Sequence, residues 1–267
     1  MTGDLMGTPS IQYRTTGPVA RLTIDNPARR NAMTLAMWAA LPELVRRAEA
    51  DPGVRVILVR GAGDTAFCAG ADISQFSDNR SSAAEGQAYD AAVHAAQTAL
   101  FAAEKPTVAY IRGVCYGGGV GIALSCDLRV AAADARFRIP AARLGLGYSF
   151  SNVELVAARI GASAAADLLF TARTVDAADA LRLGIVGRLL ATEQADEAVE
   201  ELVAAIGGNA PLTLRAVKRA LVEVARPAAE RDLDAVDALV RACAVSDDYR
   251  EGQAAFKEKR EPRFRGA

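Results

Sequence analysis

Residues 107–121 read TVAYIRGVCYGGGVG and set the pattern for the rest of the chain. The apolar, partly β-branched run Thr107–Ile111 predicts a buried strand. The glycine-rich turn Tyr116–Gly121 then predicts the start of a helix that continues to about Ser125. A turn of this kind presents free N–H groups at the positive end of the helix dipole. The stretch therefore predicts a place where negative charge on a ligand could be stabilised.

A second run of small residues, AFCAGAD at positions 66–72, follows a predicted strand that ends near Arg60 and the turn-like GAGD at 61–64. Small side chains leave the backbone uncovered, so an N–H can approach a ligand closely. The two glycine-rich runs together could form an oxyanion hole. Taken singly, each run is equally typical of a turn that lets a helix pack closely on a strand.

Strand-like and helix-like segments alternate on both sides of these runs. This alternation predicts an α/β fold with a largely parallel sheet covered by helices. After Thr192 the strand pattern stops and helical spacing continues to the end. We therefore predict a core over residues 1–191 and a helical C-terminal region over 192–267. The other predicted strands are Val19–Ile24, Val54–Val59, Leu128–Ala131 and Gly184–Leu189, and the predicted helices include Leu35–Glu49 and Ala84–Ala103.

The composition excludes several classes of function. A net charge of -1 gives no overall field for nucleic acid or an anionic membrane, and no apolar run approaches the ~20 residues of a membrane span. The four cysteines show no CxxC spacing, which is typical of reduced thiols in a cytoplasmic protein. His94 is the single histidine, which argues against a His-based metal site or a Ser-His triad.

Five motifs, in order, resemble the crotonase superfamily, the enoyl-CoA hydratase/isomerase family, over nearly the whole length. The first four motifs are Ile24–Met33 with its Asn-Pro-x-x-x-Asn-Ala pattern, residues 66–72, the triple glycine followed by Cys126–Arg129, and Pro140–Gly145. The fifth, closing motif has two segments, DYREG at 248–252 and AFKEKR at 255–260.

This resemblance implies a spiral of ββα units with a helical trimerisation region at the C-terminus. It implies an acyl-CoA substrate whose thioester enolate is stabilised by the backbone N–H groups of Ala71 and Gly118. Coenzyme A would be part of the substrate, with no tightly bound cofactor and no metal. The assembly would be a homotrimer or a dimer of trimers. Further substrate contacts would come from Ala69, Asp72, Ile73 and Gly117, with Arg29 and Lys259 on the coenzyme A phosphates.

The chain departs from the family at the two glutamates that handle protons in hydratases. The matching positions here are Gly121 and Ala141, neither of which can transfer a proton. The resemblance thus implies a nominal enoyl-CoA hydratase without standard double-glutamate hydration. Two alternatives stay open: an acyl-CoA decarboxylase that uses Tyr148, whose LGLGY segment resembles that of such enzymes, and a non-catalytic acyl-CoA binding protein.

Other polar or aromatic residues have structural interpretations. Tyr148 could simply form a wall of an apolar pocket. Ser151 and Glu154 have the spacing of a capping box, which would place a helix start at Ser151. His94 fits a structural or surface position, and Trp38 fits the core face of the first helix.

Overall fold

Two β-sheets form the framework of the computed structural model, which describes residues 8–72, 74 and 83–267. The larger sheet has six strands in the order β1-β2-β3-β5-β7-β10, and the smaller has four in the order β4-β6-β8-β9. The strands are β1 (Ser10–Thr16), β2 (Val19–Asp25), β3 (Val56–Gly61), β4 (Ala66–Cys68), β5 (Thr107–Ile111), β6 (Val114–Tyr116), β7 (Leu128–Ala132), β8 (Arg136–Arg138), β9 (Val175–Asp176) and β10 (Arg188–Leu190).

The larger sheet confirms the predicted parallel arrangement. From β2 to β10 every neighbouring pair runs parallel, and only the edge hairpin of β1 with β2 is antiparallel. Strand β5 is buried along its whole length, as expected for a strand covered on both faces. The predicted strand Gly184–Leu189 is wrong at its start. Gly184 has a left-handed φ of 77° just after a helix, so the strand begins only at Arg188.

The smaller sheet was not predicted from the sequence, because its strands are only two or three residues long. Such segments are too short to show a period of two. The pairing of β4 with β6 is parallel, and Cys68 is the register partner of Cys115. Since one glycine-rich run follows each of these strands, the smaller sheet brings the two runs side by side.

Helices cover the sheets and fill the C-terminal part. The two helices predicted before the triple glycine are confirmed to within one residue at each end. No strand occurs after Leu190 in the described residues, which agrees with the predicted helical region. The helices are α1 (Leu35–Ala50), α2 (Ala83–Ala102), α3 (Gly118–Ser125), α4 (Phe150–Ile160), α5 (Ala162–Thr171), α6 (Ala177–Arg182), α7 (Ala195–Gly208), α8 (Pro211–Val224), α9 (Leu233–Val245) and α10 (Asp247–Glu258).

The capping box predicted at Ser151 is wrong. Helix α4 begins at Phe150 with Ser149 as its N-cap, so Ser151 lies inside the first turn. The Ser149 side chain makes no capping bond to the backbone. Its Oγ instead accepts a hydrogen bond from Asn152 Nδ2 at 2.8 Å, which ties the start of α4 to its own side chains.

The hydrophobic core has two parts, one on each face of the larger sheet. The main cluster joins α1, α2 and α3 to the sheets and includes Trp38, Leu100 and Ile122. The second cluster lies where α7, through Val199 and Val203, packs on β2, β3, β5 and β7. The boundary after residue 191 stays a prediction. Within the described part of the chain, no helix is long and apolar enough to cross a membrane.

Candidate active site

The two glycine-rich runs approach each other at Gly70 and Gly118. Gly70 has a φ of 100°, which other residues rarely adopt. A Cβ atom on Gly70 would lie 3.0 Å from the Tyr116 carbonyl oxygen and 3.4 Å from the Gly118 nitrogen. Only glycine at position 70 therefore allows the backbones after β4 and β6 to come this close.

The close approach brings together the N–H groups of Ala71 and Gly118. A Cβ atom on Gly118 would lie 3.8 Å from the Ala71 nitrogen. Gly118 is the first residue of α3, so its N–H has no acceptor within the helix. On both sides of Ala71 the backbone is fixed by Met33, which donates to the Gly70 carbonyl at 2.8 Å and accepts from the Asp72 N–H at 2.9 Å. The two N–H groups thus belong to a rigid part of the fold.

The Asn-Pro-x-x-x-Asn-Ala motif supports this region from behind. Asn31 is buried, and its Nδ2 donates to the carbonyl oxygens of Ala62 at 2.9 Å and Ala66 at 2.7 Å. Asn26 Nδ2 donates to the Ala32 carbonyl at 2.8 Å. The motif therefore secures the turn between β3 and β4, where the 66–72 run begins, and this is a structural reason for its asparagines.

Trp38 links α1 to both the turn and α2. Its ring packs so closely on Gly118 that a Cβ there would lie 2.9 Å from Trp38 Cζ2. Its Nε1 donates to the Tyr89 hydroxyl at 2.9 Å. The predicted core position of Trp38 is confirmed, since the residue is fully buried. The residue also lines a cavity next to Ala71 and Gly118.

A cavity of about 130 Å³ opens in front of Ala71 and Gly118. Its walls are mostly apolar. The structure brings six of the predicted site positions to this cavity. Three apolar side chains that line it are Val93, Ile139 and Leu146, and the predicted positions are Ala69, Ala71, Gly117, Gly118, Ala141 and Tyr148.

Tyr148 supplies a hydroxyl to the cavity wall. The residue is half-buried and packs against the main core cluster. This burial raises the pKa of Tyr148 to about 12, because a phenolate would lose its hydration. Tyr148 therefore stays protonated at neutral pH and presents a hydrogen-bond donor.

Gln97 occupies the space in front of Gly121. A Cβ atom on Gly121 would lie only 2.3 Å from Gln97 Nε2. The same Nε2 donates to Asn152 Oδ1 at 3.1 Å, and Asn152 donates in turn to Ser149. Gln97 and Asn152 line the cavity, whereas Gly121 is absent from the described part of its lining. An uncharged network thus stands near the position where the resemblance places a glutamate.

Four predicted contacts lie away from the described cavity wall or outside the described residues. Arg29 is exposed in the 3₁₀ turn Pro27–Arg29, and Lys259 is exposed at the end of α10. The Asp72 carboxylate accepts hydrogen bonds from the N–H and hydroxyl of Ser74 at 3.1 and 2.6 Å. Ile73 lies outside the described residues.

The cysteines are free thiols, and the three buried ones have low reactivity as nucleophiles. Burial raises the pKa of Cys68 and of Cys126 to about 12 and that of Cys115 well above its usual value. A thiol with such a pKa is almost entirely protonated at neutral pH and is a poor nucleophile. Among the described residues, no group of three or more His, Cys, Asp or Glu could hold a metal ion.

Sequence reasoning missed the contribution of α2 to the site. Tyr89, Asp90, Val93 and Gln97 all line the cavity. Their spacing of one, four and eight residues fits a single helical face, which is the signal that could have identified them. Asp90 is the one carboxylate in the described part of the lining.

Comparison with known proteins identifies the family of the chain. The chain matches the family described as Enoyl-CoA hydratase/isomerase over residues 14–267. It is 32% identical to a carnitinyl-CoA dehydratase of Proteus mirabilis, covering 96% of this chain and 98% of that protein. It is 30% identical to a short-chain-enoyl-CoA hydratase of Clostridium acetobutylicum, covering 91% and 93%.

A solved structure from Magnetospirillum magneticum, described as an enoyl-CoA hydratase/carnithine racemase, superposes with a TM-score of 0.92. The sequences are 32% identical, and the match covers 98% of this chain and 97% of that one. These matches confirm the crotonase-type α/β fold. The chain therefore belongs to the enoyl-CoA hydratase/isomerase family, a family of lyase and isomerase enzymes within the crotonase superfamily.

Proposed function

We propose that the protein acts on an acyl-CoA thioester and stabilises its enolate through the N–H groups of Ala71 and Gly118. The proposal is supported by the position of the two residues, which lie close together and line one cavity, since a Cβ on Gly118 would be 3.8 Å from the Ala71 nitrogen. An enolate oxygen carries far more negative charge than the thioester oxygen it comes from. Fixed donors therefore bind the transition state more tightly than the ground state, by about 3 kcal/mol for each donor.

The dipole of α3 adds to this effect. Gly118 begins the helix, so the partial positive charge of the helix end lies at the same N–H. The mostly apolar walls lower the local polarity and would strengthen the electrostatic attraction. The same two backbone N–H groups would thus bind the thioester in the ground state and stabilise the enolate. Because they belong to the backbone, changing a side chain does not remove them directly.

Proton handling must differ from the double-glutamate scheme that the resemblance would imply. Gly121 and Ala141 carry no ionisable group, and Gln97 beside Gly121 is neutral. In the described part of the lining, the acidic side chains that can exchange a proton with substrate are Tyr89, Asp90 and Tyr148, and the Tyr89 hydroxyl already accepts a hydrogen bond from Trp38 Nε1. We assign the catalytic role to Tyr148, because its protonated hydroxyl can donate to an enolate. Arg29 and Lys259 would contact the coenzyme A phosphates.

The relatives favour hydratase or isomerase chemistry over the two alternatives. The similar proteins are named as dehydratases, hydratases and isomerases, which supports an enzyme over a non-catalytic acyl-CoA binding protein. A decarboxylase using Tyr148 is favoured by no relative reported above. Enoyl-, dienoyl- and 3-hydroxyacyl-CoA esters are accordingly the first substrates to offer.

The test compares two variants that both add a Cβ atom at position 118, only one of which loses the N–H donor. Gly118→Pro deletes the N–H at a helix position that accepts proline. Gly118→Ala is the matched control, because it keeps the N–H but adds the same Cβ, 2.9 Å from Trp38 Cζ2. With mass detection of products from the ester panel, we expect Gly118→Pro to lose about 100-fold in turnover relative to Gly118→Ala. Equal turnover by the two variants would contradict the oxyanion-hole role.

The wider setting is proposed on the same resemblance. The protein would be cytoplasmic, would need no tightly bound cofactor besides the coenzyme A of its substrate, and would bind neither nucleic acid nor membrane. The net charge of -1 supports the last point. It would assemble as a homotrimer or a dimer of trimers, which the exposed apolar side chains of α8 to α10 support.

A further inference from the structure

Gln97 separates two spaces in the protein. On one side lies the 130 Å³ cavity that is lined by Ala71 and Gly118. On the other side lies a larger groove of about 740 Å³ between α2, α4 and α8. Gln97 lines both spaces, and the groove has apolar walls from Phe101, Leu155 and Leu221. A side chain in this position acts as a partition.

The partition is braced from two directions. Gln97 is only 6% exposed, and its Nε2 donates to Asn152 Oδ1 at 3.1 Å across the gap between α2 and α4. Asn152 is held by its own bond to Ser149 Oγ at 2.8 Å. Gly121 of α3 packs on the other side, where any larger side chain would meet Gln97 Nε2. The amide therefore has little freedom to swing aside.

The size of the first cavity sets a limit on what fits in front of the partition. An apolar cavity of about 150 Å³ in another protein holds a molecule the size of benzene. A space of 130 Å³ thus accommodates an acyl group of roughly four to six carbons. A longer chain that starts at the Gly118 N–H would meet the Gln97 amide and would have to break its hydrogen bond to Asn152.

We propose that the Gln97–Asn152 pair is the end wall of the acyl site and restricts the substrate to short-chain acyl-CoA thioesters. The inference rests on the proposed function, since it assumes that the acyl group lies in the 130 Å³ cavity. It also explains the glycine at position 121, because a side chain there would displace the wall. Removing the wall would join the cavity to the apolar groove and admit a longer chain.

The test compares a truncated wall with an apolar wall of similar size. Calorimetry would measure the affinities of butyryl-, hexanoyl-, octanoyl- and decanoyl-CoA for the full-length protein and its variants. In Gln97→Ala, the ratio of octanoyl to butyryl affinity should rise by about tenfold or more, because additional methylenes become buried. In Gln97→Leu, which keeps the bulk but not the hydrogen bond, the ratio should stay near that of the wild type.

Each outcome decides a separate question. If the wild type binds none of the esters, the proposed function fails. If it binds butyryl-CoA and decanoyl-CoA equally well, or if Gln97→Ala leaves the ratio unchanged, the end wall is refuted while the function stands. Thermal melting would confirm that each variant is folded. Should Gln97→Ala not fold, Asn152→Ala removes the brace from the other side and must raise the same ratio.

Discussion

At the scale of single residues, Gly121 and Gln97 lie in close contact, so the size of one limits the other. The sequence shows a glycine where the resemblance expects a glutamate, which by itself suggests a loss of function. In the structure the Gln97 amide fills the space beside Gly121, since a Cβ atom on Gly121 would lie only 2.3 Å from Gln97 Nε2. In the proposed site this position is therefore held by a neutral, hydrogen-bonded amide, and the proton chemistry would come from other residues.

Tyr148 is the first residue to test for that chemistry. Tyr148→Phe removes only the hydroxyl, so we expect at least about a tenfold loss in turnover with little change in thioester affinity. Because burial raises the pKa of Tyr148 to about 12, the protonated donor is present at neutral pH and is lost only as the pH rises through that value. The pH–rate profile should therefore show no break from Tyr148 between pH 7 and about pH 10.

Steady-state kinetics over this pH range, with product detection by mass, would check the prediction. Unchanged turnover in Tyr148→Phe would mean that the ring serves only as an apolar wall of the pocket. A break in the wild-type profile that disappears in the variant would instead show that the hydroxyl ionises near neutral pH, against the effect of its burial.

At the scale of elements, the short strands β4 and β6 decide the geometry of the site. They hold the two glycine-rich runs in parallel register, which brings Gly70 to within van der Waals distance of the Tyr116 and Gly118 backbone. Asn31 anchors this arrangement from the preceding loop. It has a left-handed φ of 58°, is fully buried, and bonds to the Ala62 and Ala66 carbonyls and the Asn26 N–H.

Two substitutions of Asn31 should separate the contribution of its hydrogen bonds from the cost of its left-handed backbone conformation. Asn31→Ala leaves buried carbonyls without a donor and places an alanine at positive φ, so we expect a loss of about 3–4 kcal/mol in the free energy of unfolding. Asn31→Gly loses the same hydrogen bonds but relieves the backbone, and should be about 1 kcal/mol more stable than Asn31→Ala. Urea denaturation would measure both values. If the alanine variant proved as stable as the glycine variant, the backbone conformation would carry no cost.

The sequence predicted the long elements well and the short ones poorly, for a physical reason. The strand β5 is a continuous apolar run, and the helix α1 repeats its hydrophobic period several times, so both are long enough to be recognised. The smaller sheet has no repeat to detect, and the Ser151–Glu154 spacing did not mark the helix start, because the helical backbone already begins at Phe150. The backbone donors of the proposed site were predicted from the glycine-rich runs. The wall formed by Gln97 and Asn152 depends instead on how α2 and α4 each pack against α3, which the sequence does not show.

At the scale of the whole molecule, a buried ion pair docks the C-terminal helices on the core. Lys218 of α8 is 3% exposed, and its Nζ lies 2.6 Å from Asp127 Oδ1 just before β7. The other Asp127 oxygen accepts from the N–H and hydroxyl of Thr107 at 2.8 and 2.9 Å. A buried charge of this kind needs its partner, so the pair fixes where α8 sits.

The outer faces of the C-terminal helices are left apolar. Val224, Val245 and Phe256 are 66%, 74% and 86% exposed, although such side chains are usually buried. Three exposed apolar side chains on three consecutive helices favour burial between copies of the chain. The proposed trimer would cover them and would also explain why a helical layer with so little core of its own is stable.

This assembly can be disrupted by charge at its apolar contacts. In a Val245→Asp/Phe256→Asp double variant, two carboxylates would have to be desolvated in the interface, so we expect the assembly to dissociate. Light scattering coupled to gel filtration should give three or six chain masses for the wild type and one for the double variant. Phe256→Leu is the matched control, because it keeps an apolar side chain and should keep the wild-type mass. A wild-type protein with a single chain mass would contradict the trimer, and the exposed faces of α8 to α10 would then need another partner.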